Sequence, residues 1–164
     1  MISIAARPES APYRLTFMKA WVQRVTEASV TIEGEKVAEI GLGYLILLGI
    51  GVGDTEKAAD EIADRIVKLR IFEDENEKIN KSIEDVYGSV IVVSQFTLYA
   101  DTAHGRRPGL SNAARPDVAI PLYERVVAKL REALGPERVG TGRFGASMQV
   151  RLLNDGPFSV ELLA

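Results

Sequence analysis

Two unbroken apolar runs, Tyr44 to Ile50 and Val90 to Val93, constrain the fold of this chain more than any other feature. A continuous apolar run of that length, with no polar alternation, reads as a strand buried on both faces, and glycines bound the first of the two. The other elements fall in around them. Lys19 to Val25 and Ala28 to Ile32 read as strands, and Glu33-Gly34 supplies turn chemistry before Lys36 to Ile40. Asp54 or Thr55 is placed to cap a helix whose Ala58, Ile62, Ile66 and Leu69 form one apolar stripe. A loop rich in Glu, Asp and Asn leads to Val90. Residues 102–114 again read as loop, and a second helix is expected to start near Pro116, a residue suited to a first helical position. Leu122, Val126, Leu130 and Leu134 repeat along it until Gly135-Pro136. Gln149 to Leu153 and Phe158 to Leu163 complete the strands. The pattern predicts an α+β fold, a largely antiparallel, barrel-like sheet with two main helices.

A chain of 164 residues has the size of about one domain. Residues 1–17 carry two prolines, no sustained periodicity and no secretory-type apolar core, so they read as a loose extension ahead of a single domain over 18–164. No apolar run approaches the ~20 residues that span a bilayer. Cys is absent and His104 is the only histidine, which closes thiolate catalysis and Cys- or His-rich metal sites. The expectation is a cytosolic, metal-free protein.

The net charge of −3 argues against a protein held to nucleic acid by bulk charge. It is unevenly spread: residues 1–101 carry 11 Lys/Arg against 17 Asp/Glu, whereas residues 102–164 carry 9 against 6. Arg106, Arg107, Arg115, Arg131, Arg138, Arg143 and Arg151 supply most of the local excess. A solvated surface explains them, and a patch gripping a few phosphates at an RNA end is compatible with them.

A Ser-His-Asp hydrolase would have to recruit His104, which sits in the polar stretch HGRRP. The acidic residues cluster in helices and an acidic loop, where solvation accounts for them. Two stretches stand apart. Ser94-Gln95-Phe96-Thr97 follows the Val90 run and brings polar groups to a strand end, where sites often sit on a rigid scaffold. Asn154-Asp155-Gly156-Pro157 puts a Gly-Pro dipeptide between two strand candidates. Without further context, the first is a strand end with a polar turn and the second a tight turn joining two strands.

Together with Val22-Gln23-Arg24-Val25, Arg70-Ile71-Phe72, and Thr141-Gly142-Arg143-Phe144 ahead of Met148, these stretches resemble the bacterial-type D-aminoacyl-tRNA deacylases. The resemblance runs from Met18 to Ala164, with five strings in the family's order; Phe158 stands where many members carry Val. It implies a cofactor-free cytoplasmic homodimer acting on the acceptor end of aminoacyl-tRNA. It further implies that Ser94, Gln95, Phe96 and Thr97 form the catalytic segment, with backbone amides around Phe96 and Thr97 holding the carbonyl oxygen and the substrate's own 2′-hydroxyl assisting water. Gly156 and Pro157, joined by a cis bond, would enter the partner's site and exclude an L side chain. Arg24 would support that loop, and Phe144 and Met148 would help hold the terminal adenine. Three alternatives stand beside this reading: a nucleophilic Thr97, a deacylase of relaxed chirality with a trans Gly-Pro bond, and an RNA-end binder without chemistry.

Overall fold

The computed structural model describes residues 17–164. Its strands are β1 (Lys19–Ile32), β2 (Glu35–Ile40), β3 (Gly43–Gly49), β4 (Arg70–Glu73), β5 (Ile79–Ser82), β6 (Ser89–Ser94), β7 (Val139–Thr141) and β8 (Gln149–Leu163). Helix α1 (Glu56–Lys68) lies between β3 and β4, and α2 (Pro116–Leu134) between β6 and β7. Apart from Phe17, the extension expected over residues 1–17 lies outside the described residues. Among the described residues, no helix is long and apolar enough to cross a membrane.

One six-stranded sheet carries the molecule. β1 pairs antiparallel with β2, β3 and β8, and the sheet continues β3–β6–β7 through two parallel pairings. Parallel neighbours need long crossovers, and both crossovers contain a helix: α1 on the way from β3 to β6, and α2 on the way from β6 to β7. The expected sheet is thus largely antiparallel, with a parallel centre made of the two unbroken apolar runs. Tyr44 stands opposite Val90 and Leu47 opposite Val93.

The runs are apolar throughout because each face of the sheet covers its own core. Tyr44, Ile46, Leu48, Val90 and Val92 face the helices, where Ile62, Ile66, Val126 and Leu130 meet them. Leu45, Ile91 and Val93 face the other way, into a second cluster with Val25, Val30, Ala38, Val150 and Leu152. That cluster draws on β1, β2, β3, β6 and β8, so the sheet curls until it is nearly a closed barrel. Thr55 caps α1 by accepting from the Ala58 amide, and Arg125 of α2 grips Asp60 of α1 through Nε and Nη2 (2.7 and 2.9 Å).

Three elements differ from the sequence reading. β1 is one strand rather than two, and the break predicted after Val25 is a register shift between Val25 and Glu27. It reverses the strand's phase, so that Val22 faces the helices while Ala28, Val30 and Ile32 face the barrel interior. β8 is likewise one strand, and Asn154 to Pro157 lies within it instead of turning the chain back. The acidic loop contains the β4–β5 hairpin, built by the Asp74 carboxylate, which accepts from the amides of Asn76 and Lys78 (2.8 and 3.1 Å). Arg138 also departs from a solvated role. It is buried, donates to the carbonyls of Gly88 and Leu134 (2.9 and 3.1 Å), and stacks on Tyr87.

Two buried phenols tie helices and hairpin to the sheet. Tyr123 donates to the Val92 carbonyl (2.7 Å), and Tyr44 donates to the Leu69 carbonyl (3.3 Å) while stacking on Phe72 at 5.2 Å. Burial raises the pKa of both, that of Tyr123 to about 12. The folded chain therefore holds these protons more tightly than the unfolded chain, whose phenols titrate near ~10. The resulting stability is complete below pH ~10 and is lost as pH rises through about 12. Tyr123→Phe should lower stability at pH 8 by ~1 kcal/mol, because the Val92 carbonyl loses the nearer of its two donors, keeping the Gly142 amide. It should also lose less than the parent between pH 8 and 11, as read by urea titrations at the two pH values.

Candidate active site

Strand β6 ends at Ser94, and the chain passes through Gln95 into a single 3-10 turn, Phe96–Tyr99. Sheet pairing extends one residue past β6, since the Gln95 amide donates to the Leu48 carbonyl (2.8 Å). The first hydrogen bond of the turn runs from the Leu98 amide to the Gln95 carbonyl (3.4 Å). The amides of Phe96 and Thr97 precede that bond, so the turn itself offers them no acceptor. Phe96 is 57% exposed and Thr97 is also exposed, so this part of the turn lies at the surface.

The turn is held from below. Tyr99, buried, donates its hydroxyl to the Gly49 carbonyl (3.0 Å) and also meets the Phe17 carbonyl. Lys19 donates to the Leu98 carbonyl (3.2 Å) and lies 5.0 Å from the centre of the Tyr99 ring. Gly49 is required beneath: a Cβ there would come within 2.9 Å of the Tyr99 ring and 3.1 Å of the Gln95 carbonyl oxygen. The sequence reading did not assign Lys19, Gly49 or Tyr99 to the site. The glycine inside an otherwise apolar strand was the available signal.

Beside the turn lies a cavity of about 260 Å³ lined by Ser94, Gln95 and Phe96 together with Phe144 and Met148, and floored by Leu48, Ile50 and Val93. Five residues singled out from sequence therefore meet around one space. Phe144 is fixed there edge-on to Tyr123, with ring centres 6.0 Å apart. Thr97 does not line the cavity, and its hydroxyl receives a hydrogen bond from the Gln95 side-chain amide. A carboxamide nitrogen donates and takes no proton, so this contact provides no general base for a threonine nucleophile. His104 is exposed and makes no hydrogen bond or ion pair among the described residues.

Gly156, Pro157 and Arg24 form a second constellation that does not line this cavity. Gln23 pairs with Ser159 and Val25 with Asn154, so the single residue Arg24 stands opposite the four-residue excursion Asp155 to Phe158. Arg24 is 6% exposed and fills the space under it. Its Nε and Nη2 donate to the Asp155 carbonyl (3.1 and 3.0 Å), its Nη1 donates to the Ile71 carbonyl (2.7 Å), and its guanidinium lies 4.8 Å from the centre of the Phe158 ring. Asn154 closes the excursion: Oδ1 accepts from the Phe158 amide (2.8 Å) and Nδ2 donates to Ser159 (3.0 Å). The Gly156–Pro157 bond is cis, not the trans form of the relaxed-chirality alternative. Gly156 sits at φ +134°, and both residues of the dipeptide are exposed. The role of Ile71, which sequence flagged only as part of Arg70-Ile71-Phe72, is its carbonyl.

The guanidinium is the part of this arrangement that a different cation cannot reproduce, because a lysine ammonium cannot satisfy two carbonyls from opposite sides of a planar fork. Arg24→Lys should leave β3 and β6 intact yet speed hydrogen–deuterium exchange of the Phe158 amide by about tenfold or more, in line with loss of a charged hydrogen bond worth ~1.5–3 kcal/mol.

A family model described as D-Tyr-tRNA(Tyr) deacylase matches residues 21–163. A D-aminoacyl-tRNA deacylase of Symbiobacterium thermophilum is 53% identical over 143 residues, covering 87% of this chain and 93% of that protein. One of Bacillus licheniformis is 55% identical over 140 residues, covering 85% and 94%. Among solved structures, the c-Myc DNA Unwinding Element Binding Protein superposes with a TM-score of 0.84 at 43% identity, covering 88% of this chain and 97% of that one. A probable eukaryotic D-amino acid tRNA deacylase shares the fold with a TM-score of 0.79 at 19% identity, covering 91% and 100%.

Proposed function

The chain belongs to the D-Tyr-tRNA(Tyr) deacylase family, and from that premise we propose that it hydrolyses the ester of D-aminoacyl-tRNA, releasing free tRNA and a D-amino acid as a chiral proofreading step in the cytoplasm. The observation that carries this reading is the pair of amides, Phe96 and Thr97, that the 3-10 turn leaves without an acceptor among the described residues, Phe96 lining a cavity shared with Phe144 and Met148. An aminoacyl ester is already activated, and the ribose carries a neighbouring hydroxyl. A protein therefore needs chiefly to orient it and to stabilise the oxyanion. The terminal adenine stacks against Phe144 and Met148, and the ester carbonyl oxygen lies on the two amides. Water, assisted by the 2′-hydroxyl of the substrate, adds to the carbonyl carbon. The tetrahedral intermediate collapses by breaking the carbon–oxygen bond to the ribose, which keeps the oxygen and takes a proton.

Chirality is read by the Gly156-Pro157 backbone of a second copy of the chain. Three features support this. The dipeptide is exposed on a supported excursion of β8, it does not line the cavity of its own chain, and β8 pairs only with β1 among the described residues. A long unpaired edge is a surface that proteins cover. In the homodimer the loop closes the partner's cavity over the α-carbon, and its carbonyls collide with any L-Cβ. Glycine passes because it has none. Residues 18–164 act as one catalytic domain, and no cofactor takes part.

Two measurements test the reading. Thr97→Ala keeps both amides and should reduce deacylation by less than tenfold, against the ~10²–10³ expected for losing one oxyanion donor. A fall to the uncatalysed rate in a folded dimer that still binds tRNA would assign the chemistry to the threonine hydroxyl. In a parallel assay, D-Tyr-, D-Phe- and Gly-tRNA should all be hydrolysed and L-Tyr-tRNA refused. Activity on one D-residue alone, with Gly-tRNA refused, would point instead to a side-chain pocket that discriminates at ~1–3 kcal/mol per methylene. Gly156→Ala would set a Cβ 3.0 Å from the Phe158 amide nitrogen at φ +134°, and should lower D-activity without admitting L substrates.

A further inference from the structure

Two segments border the cavity, and both lack carboxylates. The first, residues 102–116, leaves the 3-10 turn at Asp101 and is pinched by a bridge in which Asp101 and Gly109 exchange backbone hydrogen bonds (2.8 and 2.9 Å). It returns at Ala114, which lines the cavity and donates its amide to the Ile50 carbonyl (2.9 Å). The second, residues 138–154, contains Phe144, Gly145 and Met148 of the cavity wall. Neither stretch has an Asp or Glu, in a chain whose net charge is −3. Arg106 and Arg107 stand in the first and Arg143 in the second, next to Phe144. All three are exposed, and none makes a side-chain hydrogen bond or ion pair among the described residues. Arg131 and Arg151 are likewise exposed without such a partner, whereas Arg24 and Arg138 engage carbonyls, Arg125 engages Asp60 and Arg65 engages Glu61.

We propose that Arg106, Arg107 and Arg143 form a phosphate-binding rim that grips the sugar–phosphate backbone of the acceptor strand where it enters the cavity. The proposal rests on the aminoacyl-tRNA reading above and extends it from the terminal nucleotide to the strand behind it. A guanidinium with no internal partner gives up only water and counterions when it meets a phosphate, and it can engage the phosphate through two parallel hydrogen bonds. Cations on both segments that border the cavity would bias the strand to run between them. The excess of Asp and Glu in the sequence of residues 1–101 disfavours it elsewhere. Phosphate contacts of this kind set position and carry no base sequence, which suits a protein that must accept many acceptor ends.

The test uses the full chain carrying Arg106→Gln and Arg107→Gln together, and separately Arg143→Gln. These side chains are exposed, so an unchanged melting temperature is expected. Binding of deacylated tRNA is read by fluorescence anisotropy across a salt series. The double variant should weaken binding about tenfold or more and reduce the slope of log affinity against log salt by ~1–2, at ~0.7–0.9 per lost phosphate contact. The Arg106→Lys and Arg107→Lys pair should restore most of the slope, and Arg65→Gln on α1 should change neither quantity. Hydrolysis of a 3′-D-aminoacyl-adenosine, which has no phosphate, should change by less than twofold in the double variant, while KM for the full D-aminoacyl-tRNA rises. Unchanged affinity and slope would overturn the rim, as would equal losses on the adenosine ester and the tRNA. A parent protein that binds tRNA with this salt dependence but hydrolyses neither ester would overturn the deacylase reading and leave the rim standing.

Discussion

The burial of Arg24 is the interaction on which the two halves of this structure turn. A guanidinium 6% exposed has to be well hydrogen-bonded to be tolerated, and here it donates to main-chain carbonyls of two different elements, Asp155 on β8 and Ile71 on β4, with the Asp155 carboxylate 3.5 Å from Nε. It thereby does three things with one charge. It fills the gap opened by the excursion in β8, it ties the small hairpin to the barrel, and it presents Gly156 and Pro157 outward from a fixed base. The four-residue excursion opposite Arg24 and the register shift just beyond it, between Val25 and Glu27, are where β8 and β1 pass from one core cluster to the other. On the Lys19 side of that point, Val22 and Val160 pack toward the helices. On the other side, Ala28, Val30, Val150 and Leu152 pack into the barrel.

Crossing from one core to the other explains both what sequence made legible and what it hid. The runs at Tyr44 and Val90 announce themselves because both of their faces are covered. The helices announce themselves through Thr55, Pro116 and their apolar stripes. In β1 and β8, hydrophobic alternation breaks where the strand changes faces, and a break in alternation reads as the end of a strand. The splits predicted after Val25 and around Asn154 therefore mark real features of the chain, a phase reversal and an excursion, although neither is a turn. The β4–β5 hairpin left no periodic trace, since only Ile71 and Phe72 of β4 are buried and the turn is made by a carboxylate among other carboxylates.

The site divides along similar lines. Ser94, Gln95, Phe96, Phe144 and Met148 were recognisable as strings of letters and converge on one cavity, yet in the proposed mechanism the work of the Ser94–Thr97 string falls mostly to its backbone. Lys19, Gly49 and Tyr99 carry no string of their own. They matter because a short turn at a strand end has little internal hydrogen bonding and needs to be held by its neighbours. Composition alone removes cysteine catalysis, but it cannot point to an amide.

The proposed dependence on the main chain has a consequence for how such a protein drifts. The Phe96 and Thr97 amides survive every substitution at their own positions except proline, the one residue without an amide hydrogen. An alanine scan through the turn would score it as nearly dispensable, and reagents that label active-site thiols or hydroxyls would find nothing to arrest. Selection acts instead on the residues that hold the turn in place. Harmful variants are therefore expected to concentrate at Gly49 and Tyr99, underneath the surface proposed to carry the chemistry.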